Sequence, residues 1–83
     1  MEKFTKIIKE ILVDEILIAI PEDQLTENDN LVKDLGLDSI QIMELIVILE
    51  KKFKFRFEDS DLNYKVFKDI LSLANHLKKK LKK

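Results

Sequence analysis

The 83-residue sequence predicts an all-α fold, a small four-helix bundle with three longer helices and one short helix. Apolar residues recur at helical spacing in three separate segments. Only one segment alternates like a β-strand, and the chain offers no second strand to pair with it. A single Pro and a single Gly leave no flexible linker, so we expect one domain over residues 1–83.

The composition indicates a folded protein and is consistent with a reducing compartment. Hydrophobic residues make up 46% of the chain and charged residues 37%, and Cys is absent. The amino-terminal segment lacks the continuous apolar core of a secretion signal, and no apolar run approaches the ~18 residues of a membrane span. We therefore expect a cytoplasmic location, and any thiol chemistry needs a sulfur from outside the chain.

The first helix is predicted over residues 3–18, where apolar side chains follow the spacing of one helix face. Pro21 ends regular structure because its ring and its missing N–H oppose a helix. The polar segment 21–30 is then a loop, with Leu25 as an anchor in the core. The apolar positions of the first helix are Phe4, Ile7, Ile8, Ile11, Leu12 and Ile18.

The second helix is predicted to start at Asp38 and Ser39 and to end near Phe53. Asp and Ser are both good N-cap residues, because their side-chain oxygens accept from the unpaired N–H groups of a first helical turn. Asp38 also lies favourably at the positive end of the helix dipole.

The third, short helix is predicted over residues 59–63 and the last helix over residues 66–81. We interpret KFKFRFED, residues 52–59, as a connection with Phe53 and Phe57 pointing inward. His76 projects opposite the apolar stripe of the last helix and is expected to face solvent. The lysine-rich end, residues 78–83, is interpreted as a solubilising helix end. The stripe consists of Phe67, Ile70, Leu71, Ala74, Leu77 and Leu81.

The second helix carries apolar residues on two sides. On a 100° projection its core face lies within about 100° of arc. The opposite side presents Ile40, Met43 and Val47 around Glu44 and Lys51. Either the helix is central and buried on both sides, or this second face docks a partner. The core face consists of Ile42, Leu45, Ile46, Leu49 and Phe53.

The charges of the chain are divided between its two parts. Residues 1–50 contain four Lys and 12 acidic residues, whereas residues 51–83 contain 11 Lys or Arg and four acidic residues. This asymmetry can orient a domain on charged partners, although a solvated surface with a lysine tail has the same composition.

The stretch LVKDLGLDSIQIMELIVILEKKF, residues 31–53, closely resembles the signature of acyl carrier proteins. The core of that signature is Leu-Gly-x-Asp-Ser-Leu/Ile, and its serine maps onto Ser39. The resemblance implies a bundle of the acyl-carrier type that is not an enzyme. It also implies a covalent 4′-phosphopantetheine on Ser39, which a separate phosphopantetheinyl transferase attaches from coenzyme A. Acyl groups are then held as thioesters and presented to enzymes of fatty-acid or related biosynthesis.

The resemblance also implies the residues that meet partners. Asp38 corresponds to the acidic residue that helps recognition by the transferase. The surface for acyl-transferring and acyl-elongating enzymes maps onto the second apolar face. We expect a monomer with no nucleic-acid partner and no stable membrane insertion. The implied docking residues are Ile40, Met43, Glu44, Val47 and, at the edge, Glu50. For Gly36 the sequence leaves open a positive φ or a close backbone approach.

Departures from the family pattern keep alternatives open. Typical carriers of bacterial fatty-acid synthesis are acidic where this chain has Lys51 and Lys52, followed by Lys54 and Arg56. Polyketide, peptidyl and D-alanyl carriers are the alternatives within the class, and LGLDSI with its one glycine is nearer the fatty-acid and polyketide pattern. Outside the class, an unmodified helical interaction module would use Ser39 only as an N-cap. The acyl group and the partner enzymes are not given by the sequence.

Catalysis and metal binding have little support in the sequence. The chain has one His and no Cys, and Ser39 has no evident base or oxyanion loop. ENDN, residues 27–30, lacks the spacing and the glycine of an EF-hand, so we predict no metal site. No stacking aromatics accompany the lysine-rich end, which disfavours nucleic-acid binding.

Overall fold

The computed structural model describes residues 2–81, and Lys82 and Lys83 of the predicted lysine-rich end lie outside this range. Three α-helices form the fold: α1 over Glu2–Asp14, α2 over Ser39–Phe53 and α3 over Ile70–Leu81. Short 3₁₀ turns occupy Glu22–Gln24 and Asp59–Asp61, and no strand occurs within residues 2–81. The predicted all-α class is confirmed, with a 3₁₀ turn in the place of the short third helix.

The core lies where the three helices meet. The inner face of α2 supplies Leu45 and Leu49, which are fully buried. Phe57 is buried as expected, whereas Phe53 is half-buried with its ring centroid 5.7 Å from that of Phe4. The other fully buried large side chains are Ile8, Ile11, Leu12, Leu31, Ile70, Leu73 and Leu77. No helix among the described residues is long and apolar enough to cross a membrane.

The first helix ends at Asp14, four residues before the predicted end. Leu17 adopts a left-handed conformation with φ 67°, and the Ile18 N–H donates to the Leu12 carbonyl at 3.1 Å. This turn closes the helix while Ile16 stays buried at 7% exposure. The apolar spacing therefore continued past the end of the helix, and the prediction to residue 18 is wrong.

The last helix begins at Ile70, not at residue 66. The Asp69 carboxylate accepts from the Ser72 N–H at 2.7 Å, as an N-cap does. Two backbone bonds tie this start to the first loop: Leu31 N–H to Lys68 O at 3.0 Å, and Leu71 N–H to Glu27 O at 2.8 Å. Phe67 belongs to the preceding turn, although it packs in the core.

Candidate functional site

The loop before α2 reverses at Gly36. This residue has φ +73°, and a Cβ added to it would meet no atom within 4 Å. The positive φ, and not a close backbone approach, therefore explains the glycine. Its N–H donates to the Val32 carbonyl at 3.0 Å, which closes a short helical turn. The next residue, Leu37, then leads directly into Asp38.

A capping box starts α2. The Asp38 carboxylate accepts from the Gln41 N–H at 2.8 Å, and the Gln41 side-chain oxygen accepts from the Asp38 N–H at 3.1 Å. The structure thus makes Asp38 the N-cap and Ser39 the first helical residue. Sequence reasoning did not identify Gln41, although an Asp followed three residues later by Gln before an apolar run is the expected signal.

Ser39 is exposed at the amino-terminal end of α2. Among residues 2–81, its hydroxyl forms no hydrogen bond, and neither do the N–H groups of Ser39 and Ile40. An accessible hydroxyl beside unpaired N–H groups at the positive end of a helix fits a covalently attached phosphate ester. Because Asp38 already caps the helix, the Ser39 hydroxyl is available for modification.

The outer face of α2 is not covered by the rest of the described chain. The exposed fractions are 69% for Ile40, 64% for Met43 and 45% for Val47. Together with Glu15, Glu44 and Ile48, these residues line an open hollow of about 480 Å³. Of the two explanations for the second apolar face, the structure therefore excludes burial on both sides within residues 2–81.

Glu50 lies at the edge of this face but is oriented toward the chain that follows α2. One of its carboxylate oxygens accepts from the Phe57 N–H at 2.8 Å and lies 4.0 Å from Arg56 Nε. The side chain is 23% exposed. Glu50 thus holds the returning chain against α2, a role that the helical projection did not show.

A second hollow, of about 290 Å³, lies on the other flank of α2. Ile42 and Ile46 form one wall, and the segment after the Asp59–Asp61 turn forms much of the other. Ile42 is about one turn from Ser39, so the hollow opens close to that residue. The remaining lining residues are Val32, Leu62, Asn63, Tyr64 and Phe67.

A polar cluster around the buried Asp61 carboxylate holds the turn that precedes the segment lining this second hollow. The Asp61 carboxylate accepts from Lys80 Nζ at 2.8 Å, from His76 Nε2 at 2.8 Å and from the Glu58 N–H at 2.7 Å. The hydrogen bond from Lys80, more than any other contact, lowers the pKa of Asp61 from 3.8 to about 2. The same bond raises the pKa of Lys80.

The prediction that His76 faces solvent is therefore wrong. Its side chain is 23% exposed, and its ring stacks on Phe57 with the centroids 6.4 Å apart. No local pattern could reveal the contact, because Asp61 lies 15 residues earlier in the sequence. Within residues 2–81, no group of three or more His, Cys, Asp or Glu side chains is placed to hold a metal ion.

Comparison with known proteins identifies the family. A sequence model described as "Phosphopantetheine attachment site" matches residues 6–77. The acyl carrier protein of Campylobacter jejuni is 32% identical over 73 residues, which cover 87% of this chain and 92% of that protein. The acyl carrier protein of Coprothermobacter proteolyticus is 34% identical over 87% of each chain.

Solved structures agree with the sequence matches. The solution structure of a holo acyl carrier protein from Nitrosomonas europaea superposes with a TM-score of 0.83 at 26% identity, covering 95% of this chain and 96% of that one. A crystal structure of an engineered Bradyrhizobium japonicum glycine:[carrier protein] ligase complexed with a carrier protein from Agrobacterium tumefaciens and ATP gives 0.78 at 28% identity. That match covers 90% of this chain and 96% of the other.

These matches confirm the resemblance noted in the sequence. Members of the family are carriers and not enzymes, they hold a covalently attached phosphopantetheine, and they work with enzyme partners. The chain belongs to the phosphopantetheine attachment site family and is an acyl carrier protein by family.

Proposed function

We propose that Ser39 is the residue to which the phosphopantetheine arm of this carrier is attached. The observation that supports this most directly is the exposed Ser39 hydroxyl, which has no hydrogen bond within residues 2–81 because Asp38 caps the helix. The chain has no Cys and therefore no thiol of its own. The arm, when attached, supplies a distal thiol that can form thioesters. The first-turn N–H groups of Ser39 and Ile40 would face the phosphate, and Asp38 would contribute to transferase recognition.

Intact mass after enzymatic loading tests the attachment site. The protein is incubated with coenzyme A, Mg²⁺ and a broad-specificity phosphopantetheinyl transferase. One phosphopantetheine is expected on the wild type and none on Ser39→Ala. Ser60→Ala, which removes another exposed serine, is the matched control and should load fully. An unmodified wild type beside a working control carrier would contradict the proposal and favour the unmodified interaction module.

The outer face of α2 is proposed as the surface that docks partner enzymes. Ile40, Met43 and Val47 are large, exposed and contiguous, and the exposed Glu44 lies among them. An apolar patch with a charged border is typical of transient protein contacts. Glu50, which the family pattern also suggests, would contribute from the edge while it holds the Phe57 backbone.

Substitutions on this face should separate docking from folding. Met43→Ala and Val47→Ala are expected to slow acyl transfer from the holo protein by about tenfold. Their unfolding free energies should change by less than about 0.5 kcal/mol, because both side chains are exposed on the surface of the domain. Lys65→Ala, at an exposed position on another segment, should leave both quantities unchanged. Unfolding of either face variant would place that residue in the core.

The cargo proposed is an acyl group of fatty-acid or related biosynthesis, carried by residues 1–83 as one cytoplasmic, monomeric domain. The second candidate is an aminoacyl cargo, since one similar carrier was solved with a glycine:[carrier protein] ligase. Mass analysis of the thioester on the holo protein isolated from its source distinguishes the two. A fatty acyl thioester supports the first proposal, and an aminoacyl thioester would replace it.

A further inference from the structure

A cluster of positive charge surrounds the carboxyl end of α2. Residues 51–56 contain four cationic side chains and no acidic one. All four are exposed, and the Arg56 side chain is 89% accessible. We call this group the cationic end of α2, and its members are Lys51, Lys52, Lys54 and Arg56.

Close ion pairs neutralise little of this charge in the described part of the chain. Within residues 2–81, Lys51, Lys52 and Lys54 form no ion pair. Arg56 has one anion at 4.0 Å, the Glu50 carboxylate, which already accepts from the Phe57 N–H. The helix dipole accounts for only part of the group, because α2 ends at Phe53 and two of the four cations follow it.

The cationic end is continuous with the proposed docking face. Val47 belongs to that face and also lines an open hollow of about 420 Å³ with Lys51, Lys54 and Arg56. A partner that covers Ile40 and Val47 therefore also approaches these cations. The segment that leads into α2 and the first turns of the helix carry the opposite charge, since residues 34–44 contain three acidic residues and no Lys or Arg. Fifteen helical residues place the two ends about 22 Å apart.

We propose that the cationic end of α2 binds an acidic patch on the acyl-processing enzymes that this carrier serves. The inference rests on the proposed function and adds the charge of the partner. A local acidic patch meets the cations and leaves the acidic amino-terminal end of α2 for a surface of the opposite charge. This arrangement of opposite charges fixes the direction in which α2 lies on the enzyme.

The charge pattern favours a protein partner over an extended polyanion. A lipid or nucleic-acid surface presents negative charge over distances longer than α2 and would also meet the acidic side chains of residues 34–44. Repulsion at the acidic end opposes the attraction at the cationic end. Salt screens charge over ~8 Å at physiological ionic strength, and the two ends are farther apart than that, so each end meets a charged surface separately. An enzyme surface can match both ends separately.

Paired charge reversals of the holo protein test the proposal. K51E/K54E reverses the cationic end, and K78E/K79E reverses two exposed lysines in the last turn of α3 as the matched control. The kcat/KM of an acyl-elongating enzyme from the same organism should fall about tenfold or more for K51E/K54E. The control should stay within about twofold, and the difference should shrink as salt is added. K51Q/K54Q, which removes charge without reversing it, should show an intermediate loss.

Each outcome separates the inference from the proposed function. All variants should load phosphopantetheine like the wild type, so a failure of loading in the wild type contradicts Ser39 as the attachment site. Normal loading with an unchanged kcat/KM for both K51E/K54E and K51Q/K54Q would overturn the acidic partner patch alone.

Vesicles of phosphatidylglycerol are the final probe. Wild-type binding at physiological salt that K51E/K54E abolishes would assign the cationic end to a membrane surface instead. Rescue of K51E/K54E by an acidic-to-Lys change on the enzyme would support direct contact.

Discussion

Two turns of this chain contain the same kind of local hydrogen bond but differ in the residues that surround it. At the start of α2, the Asp38 N–H donates to the side chain of Gln41, three residues later, at 3.1 Å. At the Asp59–Asp61 turn, the Glu58 N–H donates in the same way to Asp61 at 2.7 Å. The capping hydrogen bonds of Gln41 stay within the first turn of α2. Asp61, in contrast, also accepts hydrogen bonds from Lys80 and His76 of α3.

The difference shows how one local motif serves reactivity in one place and rigidity in another. At α2 the motif caps the helix without help from Ser39 and leaves the neighbouring Ser39 hydroxyl exposed. At the second turn the carboxylate is nearly enclosed, and no buried side-chain N or O atom in the described part of the chain lacks a hydrogen-bond partner. We call the start of α2, from Asp38 to Gln41, the open turn, and the turn from Glu58 to Asp61 the closed turn. Chemistry is therefore expected at the open turn, and stability at the closed turn.

The largest stability effect is expected at the closed turn. Asp61→Asn removes the charge that Lys80 and His76 contact, and it should lower the unfolding free energy by about 1–3 kcal/mol. Urea denaturation followed by circular dichroism measures the change. Asp59→Asn, at an exposed position of the same turn, is the control and should change little. Equal stabilities for wild type and Asp61→Asn would show that the closed turn is no more important than the open one.

The same carboxylate makes stability depend on acid pH. The pKa of Asp61 is about 2 in the folded protein, against an ordinary value of 3.8. Because the pKa is lower in the folded protein, the carboxylate stabilises the fold at pH values above its unfolded-state pKa. That contribution is lost as the pH falls through the folded-state pKa. The stability difference between wild type and Asp61→Asn should therefore shrink from pH 3.8 toward pH 2 in a series of denaturation curves. A constant difference would contradict the role of the charge.

At the open turn, loss of the cap should have a smaller effect. Asp38→Ala removes the acceptor of the Gln41 N–H, and it should cost about 1 kcal/mol in urea denaturation. Asp38→Asn keeps a side-chain oxygen for capping and removes only the charge, so it should preserve most of the stability. Slower transferase loading of Asp38→Asn would then reflect recognition and not folding. A neutral effect of Asp38→Ala would mean that another group caps α2.

Gly36 positions the open turn through its backbone alone. Gly36→Ala should cost about 1 kcal/mol, because an L-residue is strained at φ +73° although no atom lies within 4 Å of the new Cβ. Gly36→Asn should cost less, since Asn tolerates the left-handed region better than Ala does. Thermal unfolding of both variants measures the difference. An Ala variant as stable as wild type would show that the loop relaxes to a negative φ.

The open turn was largely predictable from the sequence, and the closed turn was not. The start of α2 at Asp38 and Ser39 depends on neighbours within three residues, and the two faces of α2 follow from helical periodicity. The Asp61 cluster instead joins residues from different elements, and Lys80 lies 19 positions after Asp61. Such contacts depend on how α3 packs, which spacing along one element does not encode.

The predicted end of α1 and the predicted start of α3 were wrong for a related reason. Ile18 and Phe67 continue the apolar spacing of α1 and α3, but each lies in a turn outside the helix that it was assigned to. Periodicity reports which side chains face the core, and a turn can satisfy that requirement without helical backbone. The backbone bonds between residues 27–31 and 68–71, which fix the start of α3, are likewise invisible to a local pattern.

The smallest stability effect is expected at the residue with the largest functional effect. Ser39→Ala removes an exposed hydroxyl without a hydrogen bond among residues 2–81 and adds a better helix former, so the unfolding free energy should change by less than about 0.5 kcal/mol. Phosphopantetheine loading of the same variant should be lost completely. A loss of about 1 kcal/mol or more in urea denaturation would instead make Ser39 a capping residue, because capping is the way in which a serine at this position stabilises a helix. Ser39 would then resemble Asp61, a polar group that the fold needs, and the difference between the open and the closed turn would disappear.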